Sequence, residues 1–222
     1  MATLTQAHGE KSTVRHLTIA TSLALALGLA AAPLAPALAQ PAAPAASKDP
    51  AAAPAGTYNL DTNHSSVVAR VAHGGGLSYS TMRFGVKQAV LNWDPANPAN
   101  IKITATVDAK PHYDPIVYRL APDAEQLLNA VKWPEATFVS TAVTPTGAAK
   151  ADVQGNLTLM GQTKPAVMHM ELVGAGKNNQ GKPVVGFTGT MTVKRSDFGT
   201  PFLANAIGNE VTLVLDGEFL GG

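Results

Sequence analysis

No cysteine occurs among the 222 residues, which excludes disulfide staples, thiolate nucleophiles and every cysteine-based metal site. Aromatic residues make up 5% and charged residues 14% of the chain, so any core is built from aliphatic and small side chains. There is no G-x-S-x-G elbow, no phosphate-binding glycine loop and no paired-carboxylate motif. Beyond the N-terminal segment the histidines are His64, His73, His112 and His169, with no H-x-H or H-x-x-x-H spacing. The reading therefore assigns no catalytic residue, no metal ligand and no cofactor. Blocks of like charge are missing too, which argues against nucleic acid as a partner.

An uninterrupted membrane-length apolar run is also lacking. The uncharged run from Leu17 to Gln40 is broken by Pro33 and Pro36. Lys11, Arg15 and His16 precede it, and Ala37-Leu38-Ala39 follows. That order of basic, apolar and small residues predicts a secretory signal peptide over residues 1–39, with cleavage after Ala39. The expected location is outside the cytoplasm, most simply a periplasm. Removing Glu10, Lys11 and Arg15 leaves basic and acidic residues equal in number. Residues 40–56 are nearly all alanine and proline, which predicts a disordered tether. The folded domain is expected over 57–222.

What that domain has is alternation. Val185, Phe187, Gly189, Met191 and Val193 share one face of a strand, opposite Thr188, Thr190 and Thr192. Val211, Leu213 and Leu215 repeat the pattern. Tyr58 to Asp61, followed by Asn63-His64-Ser65, reads as a short strand ending in a polar corner. Val67, Ala69, Val71 and His73 alternate before Gly74-Gly75-Gly76, and Met82, Phe84 and Val86 after it. Ile101, Ile103, Ala105 and Val107 oppose Lys102, Thr104, Thr106 and Asp108. Further strands are expected over Thr137–Val143, Asp152–Leu159 and Ala166–Val173. One helix is expected from Asp123 to Trp133, stopped by Pro134. About eight hairpin-connected strands without a βαβ rhythm predict an all-β fold, a sandwich or a closed barrel. Few rings and many small inward residues, such as Ala69, Ala105, Gly155 and Gly189, leave the interior either packed or hollow.

Five stretches in order then carry a resemblance. They are Tyr58-Asn59-Leu60-Asp61 with His64-Ser65; His73 ahead of Met82-Arg83-Phe84; Lys132-Trp133-Pro134 with Ala136-Thr137-Phe138 and Ser140-Thr141; Gly155-Asn156-Leu157-Thr158-Leu159 through Thr163-Lys164-Pro165; and Arg195-Ser196-Asp197-Phe198-Gly199 with Gly208-Asn209-Glu210-Val211. Together they resemble the YceI-like family of exported, polyisoprenoid-binding proteins over nearly all of Tyr58 to Phe219. The resemblance implies an extended eight-stranded antiparallel lipocalin-like β-barrel with a short helix over it. It also implies an apolar tunnel for a long isoprenoid, such as a polyprenyl phosphate or a quinone tail. The chain departs from the family at Ala69, where a bulky aromatic is usual, and at Met82, where glycine is usual.

On this reading the ligand-binding residues are Val67, Ala69, Val71, His73, Phe84, Phe138, Phe187, Met191, Arg195 and Leu213. Two roles are open for Arg195: a contact to a ligand head group, or a structural pair with Asp197 or Asp61. His73 is either a head-group donor or a satisfied rim residue. Transient membrane contact and pairing of two copies are compatible with a carrier. Two other classes fit the same barrel. One is an enzyme on a lipid-like substrate, which needs an acid–base pair such as His73 beside a carboxylate. The other is a solid-core envelope module.

Overall fold

The structure, a computed structural model, describes residues 46–111, 128–199 and 203–222. The expected signal peptide, residues 40–45 of the expected tether and the His112-Tyr113-Asp114 stretch lie outside them. Alternation turns directly into strands: β1 (Gly56–His73), β2 (Ser78–Trp93), β3 (Lys102–Pro111), β4 (Glu135–Gly147), β5 (Lys150–Leu159), β6 (Gln162–Lys177), β7 (Pro183–Lys194) and β8 (Ile207–Gly221). Each pairs antiparallel with the next, and β1 also pairs with β8, so the sheet closes into a barrel. Closure lets every inward apolar row face another one and leaves no full-length edge strand.

The register fixes which residues share the lumen. Val67 is opposite Phe84 on β2 and Leu215 on β8, and Ala69 is opposite Met82 and Leu213. Met191 is opposite Leu213 across the β7–β8 ladder. Two clusters of buried residues result, one around Tyr58, Trp93, Phe138 and Met191, the other around Val67, Ala69 and Phe84. Leu213 and Leu215 pack against both.

The barrel has two ends. The upper end holds the start of β1, the β2–β3 and β6–β7 loops and the β4–β5 turn. The lower end holds the β1–β2 and β5–β6 turns and the β3–β4 and β7–β8 connections.

Three details differ from the sequence reading. First, β1 does not stop at Asn63-His64-Ser65. It runs on through a register shift between Asp61 and Ser65, held locally by Asn63 N–H donating to Asp61 Oδ1 at 2.9 Å. A bulge absorbs the polar residues without ending the strand. Second, the expected helix lies mostly outside the described residues, and its described end, Leu128–Trp133, consists of turns. Asn129 sits there at φ 45°, a left-handed conformation that asparagine tolerates and a helix interior does not. Third, residues 46–56, assigned to the tether by composition, are seated on the upper end. Ser47 exchanges two backbone hydrogen bonds with Ala175 on β6, at 2.9 and 2.7 Å. A 3-10 turn follows over Pro50–Ala52, capped by the Asp49 carboxylate accepting from Ala51 N–H. Ala53 is fully buried. Main-chain groups do this anchoring, which is why side-chain composition does not reveal it.

Candidate functional site

The upper end contains a cavity of about 210 Å³ inside the barrel. Its walls include Leu91, Trp93, Ile103, Met170, Phe187 and Phe219, and Lys150 is the charged residue on its lining. Alternation places these side chains inward on β2, β3, β6, β7 and β8. Three rings organise the wall: Phe187 meets Trp93 edge-on at 5.6 Å and Phe219 at 6.2 Å between centroids. Edge-to-face packing of this kind favours a fixed ring geometry over a collapsed one. The lip carries Pro50 from the N-terminal strap, Pro95 and Pro98 from the β2–β3 loop and Pro145 from the end of β4. Their fixed φ makes the lip stiff, and they bring no N–H donor to it.

The strap forms part of this wall. The Trp93 indole N–H donates to Ala53 O at 3.3 Å, and the Tyr58 hydroxyl donates to Pro54 O at 2.7 Å. Burial pushes the Tyr58 phenol above its ordinary pKa. Outside the barrel, Lys48 Nζ lies 2.9 Å and Lys150 Nζ 3.4 Å from the Glu171 carboxylate. These two cations hold Glu171 below the usual carboxylate range, Lys48 chiefly, by its hydrogen bond.

Further down the lumen, Ile103, Ala105, Leu213, Leu215 and Val193 point inward yet keep part of their surface exposed. A filled core would bury them. Of the small inward residues, Gly155 and Gly189 are not the source of this space. A Cβ on Gly155 would lie 2.6 Å from Val139 O and collide with the Phe138 ring, and one on Gly189 would lie 2.9 Å from His169 O and collide with Met170 Sδ. Both glycines are sockets that neighbouring large side chains occupy.

Of the residues expected to bind ligand, Phe187 lines the upper cavity. Phe138, Met191 and Leu213 belong to the lumen below it, and Val67, Ala69 and Phe84 to the cluster towards the lower end. Val71 is buried beside them, opposite Val211. His73 is exposed on the lower rim, opposite Ser78 and Ile207, with no ion pair to a described residue. Among the described residues no carboxylate pairs with His73. Arg195 is half-buried at the lower end of β7. Its Nη1 donates to Ile207 O and Gly208 O, both at 3.2 Å, clasping β7 to the start of β8. Burial lowers its guanidinium pKa.

Sequence reasoning passed over Trp93, Leu91 and Phe219. The signal was present, since Trp93 and Leu91 share the parity of Ala89, and Phe219 that of Leu213 and Leu215. Among the described residues no group of three or more His, Asp or Glu side chains could hold a metal ion. A larger depression of about 430 Å³ lies over β4–β6. Its lining includes the exposed outer-wall residues Gln154, Asn156 and His169 and the backbone of Gly155; His169 Nδ1 lies 2.7 Å from Asp152 Oδ1. It is an open groove and offers an apolar chain nothing comparable to the lumen.

A closed meander of eight strands around an apolar lumen defines the lipocalin-like class of small barrels. The chain belongs to the YceI-like family, whose domain matches residues 58–219. A UPF0312 protein of Vibrio cholerae is 36% identical over 156 residues, 68% of this chain and 80% of that protein. One from a Shewanella species is 36% identical over 177 residues, covering 76% and 90%. Among solved structures, Burkholderia cenocepacia BcnA superposes with a TM-score of 0.61 at 22% identity, covering 72% of this chain and 98% of its own. A polyisoprenoid binding domain from Saccharophagus degradans, implicated in plant cell wall breakdown, superposes with a TM-score of 0.56 at 14% identity, covering 74% and 98%. At these identities the two structures establish the shared fold.

Proposed function

We propose that the protein carries or sequesters a long-chain isoprenoid, a polyprenyl phosphate or a quinone tail, in its barrel, and that it works outside the cytoplasm once residues 1–39 are removed. The observation that carries this reading is the apolar cavity of the upper end, together with the inward side chains of Ala105, Val193, Leu213 and Leu215 further down the barrel, which stay part-exposed. The polyisoprenoid binding of a structural neighbour supports it, and so does the family.

The chamber of about 210 Å³ lies below the ~300 Å³ at which drug-sized pockets begin. It therefore takes one end of a ligand, and the rest of the chain runs along Ile103, Ala105, Leu213 and Leu215. Each buried methylene gains about 0.8 kcal/mol relative to water. A bilayer offers the same gain, so exchange between membrane and barrel is close to neutral, as a carrier that must also release its cargo requires. The reading is of binding without covalent chemistry.

Trp93 provides the test. The chain has two tryptophans, so Trp133→Phe leaves Trp93 as the single reporter in the chamber wall. A short-chain quinone should quench it saturably, and a polyprenyl phosphate should compete. The double substitution Ile103→Phe/Val153→Phe fills the chamber and should weaken binding at least ~10-fold, the effect of losing about two buried methylenes. Absence of saturable quenching, together with a clean mass free of co-purifying lipid in native mass spectrometry, would overturn the proposal.

A further inference from the structure

The two ends of the barrel present different chemistry to solvent. At the lower end, Leu77 in the β1–β2 turn is 92% exposed, Val131 in the β3–β4 connection 75% and Leu203 in the β7–β8 connection 47%. Tyr79 and Trp133 beside them are exposed as well. At the upper end no described connection exposes a large apolar side chain, and the β6–β7 loop is Asn178, Asn179, Gln180, Gly181 and Lys182. The other exposed valines, Val90, Val139, Val167 and Val173, stand singly on strands of the outer wall.

The lower tips form one rim. Gly74 N–H donates to Ala206 O at 2.7 Å, joining the β1–β2 turn to the β7–β8 connection. A Cβ on Gly199 would sit 3.5 Å from Met160 Cε, which places that connection against the β5–β6 turn. The Trp133 ring lies over Gly161 in the same turn and leaves no space for a side chain there. Loop tips that each end in Leu, Val, Tyr or Trp cost free energy in water, and an apolar rim of this kind marks an interaction surface.

The charges beside the rim say what it meets. The Arg70 guanidinium stacks 3.4 Å over the Tyr79 ring, and the Lys132 ammonium lies 5.4 Å from the Trp133 ring. Arg83 and Lys110 are exposed on the same side. Lys87 is offset by Glu135 at 3.0 Å, Lys194 stands opposite Glu210 in the β7–β8 register, Asp197 follows Arg195 by two residues, and Asp108 is the remaining described carboxylate on the β1–β4 side. Apolar tips with aromatic rings and cations set just behind them match the layering of a bilayer, where rings sit at headgroup level and cations meet lipid phosphates.

We propose that the lower rim is a docking surface for a bilayer containing anionic lipid, with Leu77, Val131 and Leu203 inserting and Arg70, Arg83 and Lys132 held at the phosphates. This gives the lipid-carrier reading its membrane partner and orientation. It rests on that reading for its purpose, while the measurement is separate because it needs no cargo.

Trp93→Phe leaves Trp133, on the rim, as the single tryptophan of the full chain. With vesicles of mixed phosphatidylcholine and phosphatidylglycerol, Trp133 emission should shift blue and be quenched by brominated acyl chains. In the reciprocal Trp133→Phe chain, Trp93 should be unaffected. Leu77→Asp/Val131→Asp/Leu203→Asp changes exposed positions and should cut vesicle partition about tenfold or more, since an inserted side chain is replaced by a charge. Vesicle flotation of the triple variant with both tryptophans intact gives the same comparison without altering Trp93. The control Val90→Asp/Val139→Asp on the outer wall should behave as wild type. Unquenched Trp133, partition unchanged in the triple variant, or binding only through residues 1–39 would overturn the proposal, and quinone quenching of Trp93 would still stand or fall by itself.

Discussion

Replacing Gly155 by alanine should damage the barrel far more than one methyl group suggests. The added Cβ would lie 2.6 Å from Val139 O and inside the space of the Phe138 ring. Val139 O is main chain, fixed by the β4–β5 ladder in which Val139 faces Asn156 and Ser140 faces Gly155, so it cannot move without breaking pairing. Phe138 must yield instead, and it is buried. Overpacking of this kind costs ~1–3 kcal/mol, and partly exposing a phenylalanine adds a fraction of its ~1.5–3 kcal/mol burial. We expect a loss of about 2–3 kcal/mol in urea denaturation at an unchanged m value. At ~2–4 °C per kcal/mol for a domain of this size, Tm falls by roughly 5–10 °C. Gly176→Ala, with nothing within 4 Å of its Cβ, should stay within ~0.5 kcal/mol of wild type. Adding Phe138→Leu to Gly155→Ala should restore part of the loss, with a coupling of ~1 kcal/mol or more. If Gly155→Ala unfolds like wild type, Phe138 is not seated in that socket, and the account of how large rings are kept to the barrel wall fails. The displaced ring has a second consequence: it swings into the lumen, so quinone quenching of Trp93 should weaken in parallel.

Other outcomes follow from the charged contacts. Glu171 has a depressed pKa, so its hold on Lys48 is present above the ordinary carboxylate value of 4.5 and is lost as pH falls through the folded value. Amide protection at Ser47 should drop with acidification in that range, and Glu171→Gln should lower it at neutral pH and abolish the pH dependence. His64 is raised above its ordinary 6.5, first by its hydrogen bond to Asp61, and Asp61 is lowered below 3.8, first by the same bond. The His64 contribution is complete below 6.5 and fades as pH rises through its folded value, whereas that of Asp61 is complete above 3.8 and fades on acidification. Asp61→Asn should therefore bring the His64 titration, followed by NMR, back down towards 6.5. Arg195→Met should lower Tm by releasing the β7–β8 clasp while leaving quinone affinity at Trp93 unchanged; a selective loss of affinity would make Arg195 a head-group contact.

Strand positions were legible because a period of two survives in nearly every segment, and Val185 to Val193 and Val211 to Leu215 face the lumen as their alternation requires. The continuity of β1 was not, because Asn63-His64-Ser65 has the composition of a turn and only the register across β8 shows a bulge. The strap was invisible for a different reason: Ser47, Ala53 and Pro54 are held through main-chain atoms, which an Ala/Pro-rich composition neither reveals nor forbids. The chamber was half legible. Phe187 was found in the middle of an alternating run, Val185 to Val193, while Trp93 and Phe219 stand at strand ends where loop residues blur the pattern. Gly155 and Gly189 left a packed and a hollow interior equally open, because a missing side chain in sequence does not show that it is the seat of Phe138 and Met170.

The strap also decides what the barrel shows to other chains. β5–β6 pairing ends at Lys150 and Glu171, yet β6 continues to Lys177. Beyond Glu171, among the described residues, its side towards β5 has Ala149 O, which accepts from Leu172 N–H, and Ser47, bonded to Ala175, to occupy it. Without Ser47 that margin is an unpaired strand edge flanked by exposed Val173, a template on which a second molecule can add its own strand. A chain clipped between Ser47 and Gly56 would keep its closed barrel and lose its guard against polymerising edge to edge.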